Sequence, residues 1–302
     1  MWAWNDPVYL RTALIVLSVV FTSGTFVYFF RDKNFYFISA WASIKSWIFV
    51  APLLFLVFAL PYPWPLVVLT LFAIYGAKAF FKILGMYHLH YFVLICYAGI
   101  WCLGLVSYYG HIELYNLMPL LVLGICCLVP LVMNTHQQMI QYISLTLLGF
   151  VFLGWSFMHL GLLLKFPSGL YQILYLIVLT EFCDNTSIAT SYYLRGPKLF
   201  SNIDPKRTYA STAASIALTL VLAWVMRSLL PDNAEKYWLG AGIVASVGGV
   251  LGDLTMTAIR RDAGARDVGP FIIGRGDFLQ RMDRLIFVAP IYFYVMHYLR
   301  IF

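Results

Sequence analysis

The chain has 302 residues, of which 62% are hydrophobic and 11% charged, with a formal net charge of +7. A soluble domain carries about 25% charged residues, so this composition excludes an ordinary soluble fold and indicates an integral membrane protein. The apolar runs are about 20 residues long, the length of a bilayer-crossing helix, which excludes the shorter alternating strands of a membrane barrel.

Ten spans are predicted, at roughly 11–30, 46–61, 64–84, 88–109, 115–133, 141–164, 168–194, 211–230, 237–258 and 285–302. The segment before the first lacks a basic start and a small-residue cleavage site, so that run is expected to stay in the membrane. Spans two and three are parted only by the proline-rich turn Pro61 to Pro65. Cys96, Cys102, Cys126, Cys127 and Cys183 all lie inside apolar runs without metal-ligand spacing, and read as small core residues. His88, His90, His111, His136 and His159 are scattered and read as interfacial or structural. The Trp and Tyr residues read mostly as interface belts and helix contacts. The fold class expected is therefore all-α and polytopic. Residues 1–165 would form a membrane scaffold with a dimer surface, and 166–302 the catalytic membrane region.

Orientation follows from the distribution of Lys and Arg between loops. With the N-terminus outside, fifteen of the twenty fall on the inner side and five on the outer. Segments 195–210 and 258–284 then face the cytoplasm, where nucleotides are found.

Span seven changes character midway. Asp184, Ser187 and Ser191 recur at spacings of three and four on one helical face, with Glu181 a turn earlier. Hydroxyls in such a stripe hydrogen-bond neighbouring helices, but a carboxylate inside a membrane is costly and signals function. Span nine repeats the pattern. Gly248, Gly249 and Gly252 would allow another helix to approach closely, and Asp253, Thr257, Arg260 and Arg261 run as one stripe towards the cytoplasmic face. An acid at depth with arginines at the exit suits a divalent cation bridging to phosphates, since Mg²⁺ is usually held by one or two carboxylates plus substrate phosphate. The alternative is a buried Asp–Arg pair made for structure.

Two basic loops complete the set. The first carries Arg195, Lys198, Lys206 and Arg207 against Asp204. The second holds Gly269-Pro270 and Gly274-Arg275-Gly276, whose glycines would let backbone N–H groups approach an anion. Between Gly252 and Asp283 stand five arginines and the acids Asp253, Asp262, Asp267, Asp277 and Asp283, with Arg284 just beyond. Basic charge alone would mean lipid headgroup binding. Carboxylates in the same segments raise the case for phosphoryl or nucleotidyl transfer.

The stretch from Gly252 to Asp283 resembles the signature of phosphatidate cytidylyltransferases, approximately GDLxxSxxKRxxxxKDxGxxxPGHGGxxDRxD. Gly252, Asp253, Leu254, Arg261, Asp267, Gly269, Gly274, Gly276, Arg281 and Asp283 match it; Thr257 stands for Ser, and Arg260 and Arg266 for Lys. Upstream, Asp184 sits where that family has the Asp of a DxxAY-like helix, and Asp204 to Tyr209 resembles its SPKKTW. The resemblance covers about residues 180–302. It implies CTP plus phosphatidate giving CDP-diacylglycerol plus pyrophosphate, in a polytopic helical dimer with a cytoplasm-open polar cavity, in the cytoplasmic membrane. Mg²⁺, with room for a second cation, would be the cofactor; CTP, a lipid phosphate, membrane lipids and a second copy of the chain would be the partners, with no nucleic acid. Asp184, Asp253, Asp277 and Asp283 would serve the metal. Lys206, Arg207, Arg260, Arg261 and Arg281 would clamp phosphates, and Thr208, Thr257, Arg266, Gly274, Arg275 and Gly276 would line the substrates.

The departures bear on the acceptor. Arg275 stands for His, Asp277 for Gly, Gln280 for an acid, Asp204 for Ser, and Ser211 for a Gly. A carboxylate at 277 is one helical turn from 280 and could reach the same cation, or could cap the last helix. Transfer to another phospholipid acid or a polyprenol, or a non-catalytic phospholipid-binding protein that kept the fold, are the competing readings.

Overall fold

The computed structural model describes residues 3–30, 35–134, 137–166, 168–194, 196–230, 232–264 and 282–298. It is 85% helical. The helices are α1 (Pro7–Phe30), α2 (Phe35–Ala59), α3 (Trp64–Ile83), α4 (His90–Tyr109), α5 (Ile112–Val132), α6 (Met139–Gly149), α7 (Phe157–Leu163), α8 (Gly169–Tyr193), α9 (Tyr209–Val225), α10 (Trp238–Ile243), α11 (Gly249–Asp262) and α12 (Leu285–Tyr298). A π-helical turn, Phe150–Ser156, joins α6 to α7, and another, Val244–Gly248, joins α10 to α11.

Each of the ten predicted spans coincides with one of these helices or continuous helix pairs. Among the described residues, six are long and apolar enough to cross a membrane: Pro7–Phe30, Trp64–Ile83, His90–Tyr109, Ile112–Val132, Met139–Leu163 and Glu235–Asp262. Trp47–Ala59, Tyr209–Val225 and Leu285–Tyr298 are apolar but shorter. α8 has 25 residues, yet its second half carries the polar run from Thr180 onward. Two boundaries moved. The second helix starts at Phe35 because an aromatic run extends it past Lys45, and α9 stops at Val225, before the 3-10 turn Arg227–Leu229.

The all-α expectation needs one amendment. The first basic loop contains a two-stranded antiparallel hairpin, β1 (Lys198–Phe200) and β2 (Asp204–Thr208), with Lys198 opposite Thr208 and Phe200 opposite Asp204. Pro205, which lacks an N–H and disfavours a helical residue before it, blocks a helix through the loop.

The core is continuous from α1 to α12. Phe80, Phe81, Ile100, Leu103, Phe150, Leu153, Tyr292 and Phe293 are fully buried together. The last helix lies inside the bundle, packed against α7, α11 and both π turns. That insertion brings the residues just before α12 onto the flank of α11. Near the other end, Tyr171 of α8 donates to Asp6, and this bond holds the Asp6 carboxyl below the ordinary carboxylate range.

Candidate active site

α8 supplies two acids. Glu181 and Asp184 are three apart and therefore share a face. The hydroxyls around them bond largely within their own helix: Thr186 donates to Phe182 O at 2.8 Å, Thr190 to Thr186 O at 2.7 Å, and Ser191 to Ile188 O at 2.8 Å. Such back-bonding satisfies a hydroxyl locally and leaves the carboxylates to seek charged partners. Thr190 also reaches Ser211 O at 3.2 Å, tying α8 to α9.

The hairpin delivers the first arginine. β2 runs directly into α9, and Thr208 caps that helix in a capping box. Its hydroxyl accepts from Ser211 N at 3.1 Å, and Ser211 Oγ accepts from Thr208 N at 3.1 Å. The same Thr208 hydroxyl donates to Leu194 O at 3.1 Å. With the junction locked, Arg207 turns inward and is buried. Arg261, near the end of α11, donates to Asn202 O at 2.8 Å and fastens the hairpin turn to that helix.

α11 supplies Asp253, and the stretch before α12 supplies Asp283 and Arg284. Gly252 makes their meeting possible. A Cβ there would lie 2.2 Å from Asp283 O, closer than atoms can stand, and 3.1 Å from Arg284 Cα, a tight contact. One turn earlier, a Cβ on Gly248 would lie 3.1 Å from Val288 Cγ2. The glycine pair expected to admit another helix does so, and the element admitted is the entry to α12.

The charges form a chain of pairs with one separate pair beside it. Arg207 Nη2 lies 2.6 Å from Asp253 Oδ2 and 3.3 Å from Asp184 Oδ1, while its Nε lies 3.2 Å from Asp204 Oδ2. Arg284 Nη2 lies 2.6 Å from Asp184 Oδ2, and its Nη1 lies 2.8 Å from Glu181 Oε2. Arg260 pairs with Asp283 Oδ2. Asp283 is wholly buried, and its Oδ1 has no hydrogen-bond partner among the described residues. That burial pushes its carboxyl up to about 8, with Arg260 pulling the other way, so its charged state depends on the cations beside it.

Of the residues predicted for the site, the structure gathers Asp184, Asp253 and Arg207 at one point, with Arg260 and Asp283 paired beside them. The Asp–Arg pair left open as an alternative for Asp253 is present, although its partner is Arg207 of the hairpin. Thr208 is engaged in capping α9, and Arg261 in holding the hairpin. Thr257 is half-buried on α11. The side chain of Lys206, and Arg266, Gly274, Arg275, Gly276, Asp277 and Arg281, lie outside the described residues. Sequence reasoning assigned no role to Arg284 or Asp204, and left Glu181 without one. An arginine opening an apolar helix directly after the last signature acid was the available signal for Arg284.

A divalent cation fits this donor set in a limited form. Among the described residues, no three His, Cys, Asp or Glu side chains stand close enough to make an all-protein cage. Mg²⁺ does not require one, because one or two carboxylates plus substrate phosphates usually hold it. Asp184 Oδ1 and Asp253 Oδ2 both point at a single nitrogen of Arg207, so two carboxylate oxygens already converge. Asp283 stands beside them, paired with Arg260. Arginines at the rim, with their planar forks, suit phosphate oxygens.

Residues 41–299 match the cytidylyltransferase family. The chain is 29% identical over 158 residues to the uncharacterized protein YnbB of Escherichia coli, which covers 49% of this chain and 53% of that one. It is 30% identical over 142 residues to a phosphatidate cytidylyltransferase of Synechocystis, covering 43% of this chain and 44% of the relative. It is also 30% identical over 129 residues to a phosphatidate cytidylyltransferase of Bacillus subtilis, covering 42% and 48%. The matched stretches thus span about half the length of these curated relatives. With the family match running through α3 to α12 and across the whole charged cluster, the chain belongs to the cytidylyltransferase family.

Proposed function

We propose that the protein transfers the cytidylyl group of CTP to phosphatidate, giving CDP-diacylglycerol and pyrophosphate at a cytoplasm-facing site in the membrane. The observation that carries this reading is the convergence of Asp184, Asp253 and Arg207, from three separate elements, on one buried point. In the reaction a phosphatidate oxygen attacks the α-phosphorus of CTP. The bond from that phosphorus to the bridging oxygen breaks, and pyrophosphate leaves with the electron pair. Such transfers need positioning and charge neutralisation more than covalent help from the protein.

Asp184 and Asp253 would hold Mg²⁺, which would neutralise the phosphate oxygens when bound, with Asp283 held apart by Arg260. Arg207 would exchange its carboxylates for phosphate once the cation arrives, and Arg260 would stand next to it. The reading includes a dimer, a polar cavity open to the cytoplasm, and residues 1–165 as scaffold. The orientation rests on the inner-side excess of Lys and Arg.

The test is incubation of purified protein with α-labelled CTP, Mg²⁺ and phosphatidate, followed by separation of the lipids. A labelled CDP-lipid is the expected product. With γ-labelled CTP and a polyprenol offered in place of phosphatidate, label on the polyprenol, with none on phosphatidate from α-labelled CTP, would move the acceptor; no labelled lipid in either assay would sink the reading. Orientation is tested apart from this, with cysteines placed at Ser201 and Ala265 in a Cys-less chain. Both should resist impermeant thiol reagents in intact cells, and ready labelling from outside would reverse the topology.

A further inference from the structure

Arg284 is buried, with its guanidinium set between two carboxylates of α8. Nη1 lies 2.8 Å from Glu181 Oε2 and Nη2 lies 2.6 Å from Asp184 Oδ2. A bidentate guanidinium across two acids does what a divalent cation does there, with two differences. It carries one charge instead of two, and it cannot leave, because it is bonded to the chain and never loses its proton.

The backbone holds it in place. Arg284 Cα stands 3.1 Å from where a Cβ on Gly252 would be, and Arg284 Cβ stands 4.0 Å from the corresponding point on Gly249. Arg207 is anchored differently. It comes from a two-stranded hairpin whose side chains reach in from the edge, and it shares Asp184 through the other oxygen, Oδ1. Asp184 is therefore shared by two arginines, Arg284 on Oδ2, packed against the glycines of α11, and Arg207 on Oδ1, carried by the hairpin.

We propose that Arg284 is a built-in cation, a positioning residue that takes the place of a divalent ion on the Glu181–Asp184 pair. It holds Asp184 by Oδ2 and leaves Oδ1 on the side of Arg207, whose Nη2 also meets Asp253. The inference deepens the proposed function by assigning the inner half of the carboxylate cluster to the chain's own arginine and only the outer half to an exchangeable cation.

The probe is Mn²⁺ bound per chain, counted by electron paramagnetic resonance on the full-length protein in detergent, without CTP or lipid. Arg284→Ser should bind one Mn²⁺ more than the unsubstituted protein. Arg284→Lys, which restores a fixed positive charge, should return the count to the starting value, and so should Glu181→Gln added to Arg284→Ser. An unchanged count in a monodisperse Arg284→Ser protein would overturn the inference. Should Arg284→Ser fold only when Mn²⁺ is present throughout purification, the ion is replacing the arginine, as proposed. Failure of Mn²⁺ to recover it, while Arg284→Lys folds normally, would show a purely structural role and overturn the inference as well. Because the count needs no turnover, a negative CTP assay would remove the proposed activity and leave this result standing.

Discussion

Between α5 and α7, Tyr115 donates to Trp155 O at 2.5 Å and His159 Nδ1 lies 2.9 Å from the same carbonyl, while His159 Nε2 and Trp155 Nε1 have no hydrogen-bond partner among the described residues. In the cluster of α8, the hairpin, α11 and the entry to α12, by contrast, Asp184, Asp253, Asp283, Arg207 and Arg284 each face an opposite charge. Both places are buried in the same bundle. The difference lies in cost. A neutral buried group left unpaired costs about 1–3 kcal/mol, which a large core of packed aromatics such as Phe293 and Tyr294 can absorb. A buried charge left unpaired costs far more, so it persists only where opposite charges meet it. The first region is built for packing. The second carries a set of charges that packing alone would not require.

The sharpest way to break this comparison is to remove the shared arginine. Arg207→Met leaves Asp184 and Asp253 facing each other without their common cation, and should lower stability by about 3–5 kcal/mol in denaturant titration in detergent. A loss as small as that of a neutral contact would erase the distinction between the regions. Next, Asp184→Asn and Asp253→Asn should each lower CDP-lipid formation about 10²-fold or more, with the protein still monodisperse. Unchanged turnover in both would reduce the acids to helix ties.

A third prediction concerns the close approach that assembles the site. Gly252→Ala puts a Cβ against the Asp283 carbonyl, and overpacking of that kind should cost about 1–3 kcal/mol in the same titration, while turnover falls as Asp283 and Arg284 shift. On the packing side, Tyr115→Phe deletes one hydroxyl but leaves the His159 bond to Trp155 O, so it should cost about 1 kcal/mol and leave turnover unchanged. An activity loss there would mean that the aromatic cluster reaches the chemistry. The smallest effect belongs to Glu235→Gln, which breaks a half-exposed pair with Arg227 at 3.4 Å. It should move stability by less than about 0.5 kcal/mol and serves as the control.

What was legible in the sequence is what depends on neighbours along the chain. Runs of apolar residues marked the helices, and residues three and four apart put Glu181 and Asp184 on one face, because a helix repeats every 3.6 residues. The glycines at 248 and 252 signalled a close approach for the same reason. The charge bias between loops and the motif order from Asp184 to Asp283 also needed no coordinates. Tertiary structure alone decided which charges meet. A buried Asp–Arg pair was one reading of Asp253, with the partner left unnamed, and that partner is Arg207 from a hairpin 46 residues away. Arg284 reaches back 100 residues to Asp184. Thr208, which as a lone hydroxyl could have served a substrate, caps α9 once the hairpin feeds that helix. These pairings depend on where α12 enters the bundle and how β2 turns, and a pairing between distant segments leaves no periodic trace in either of them.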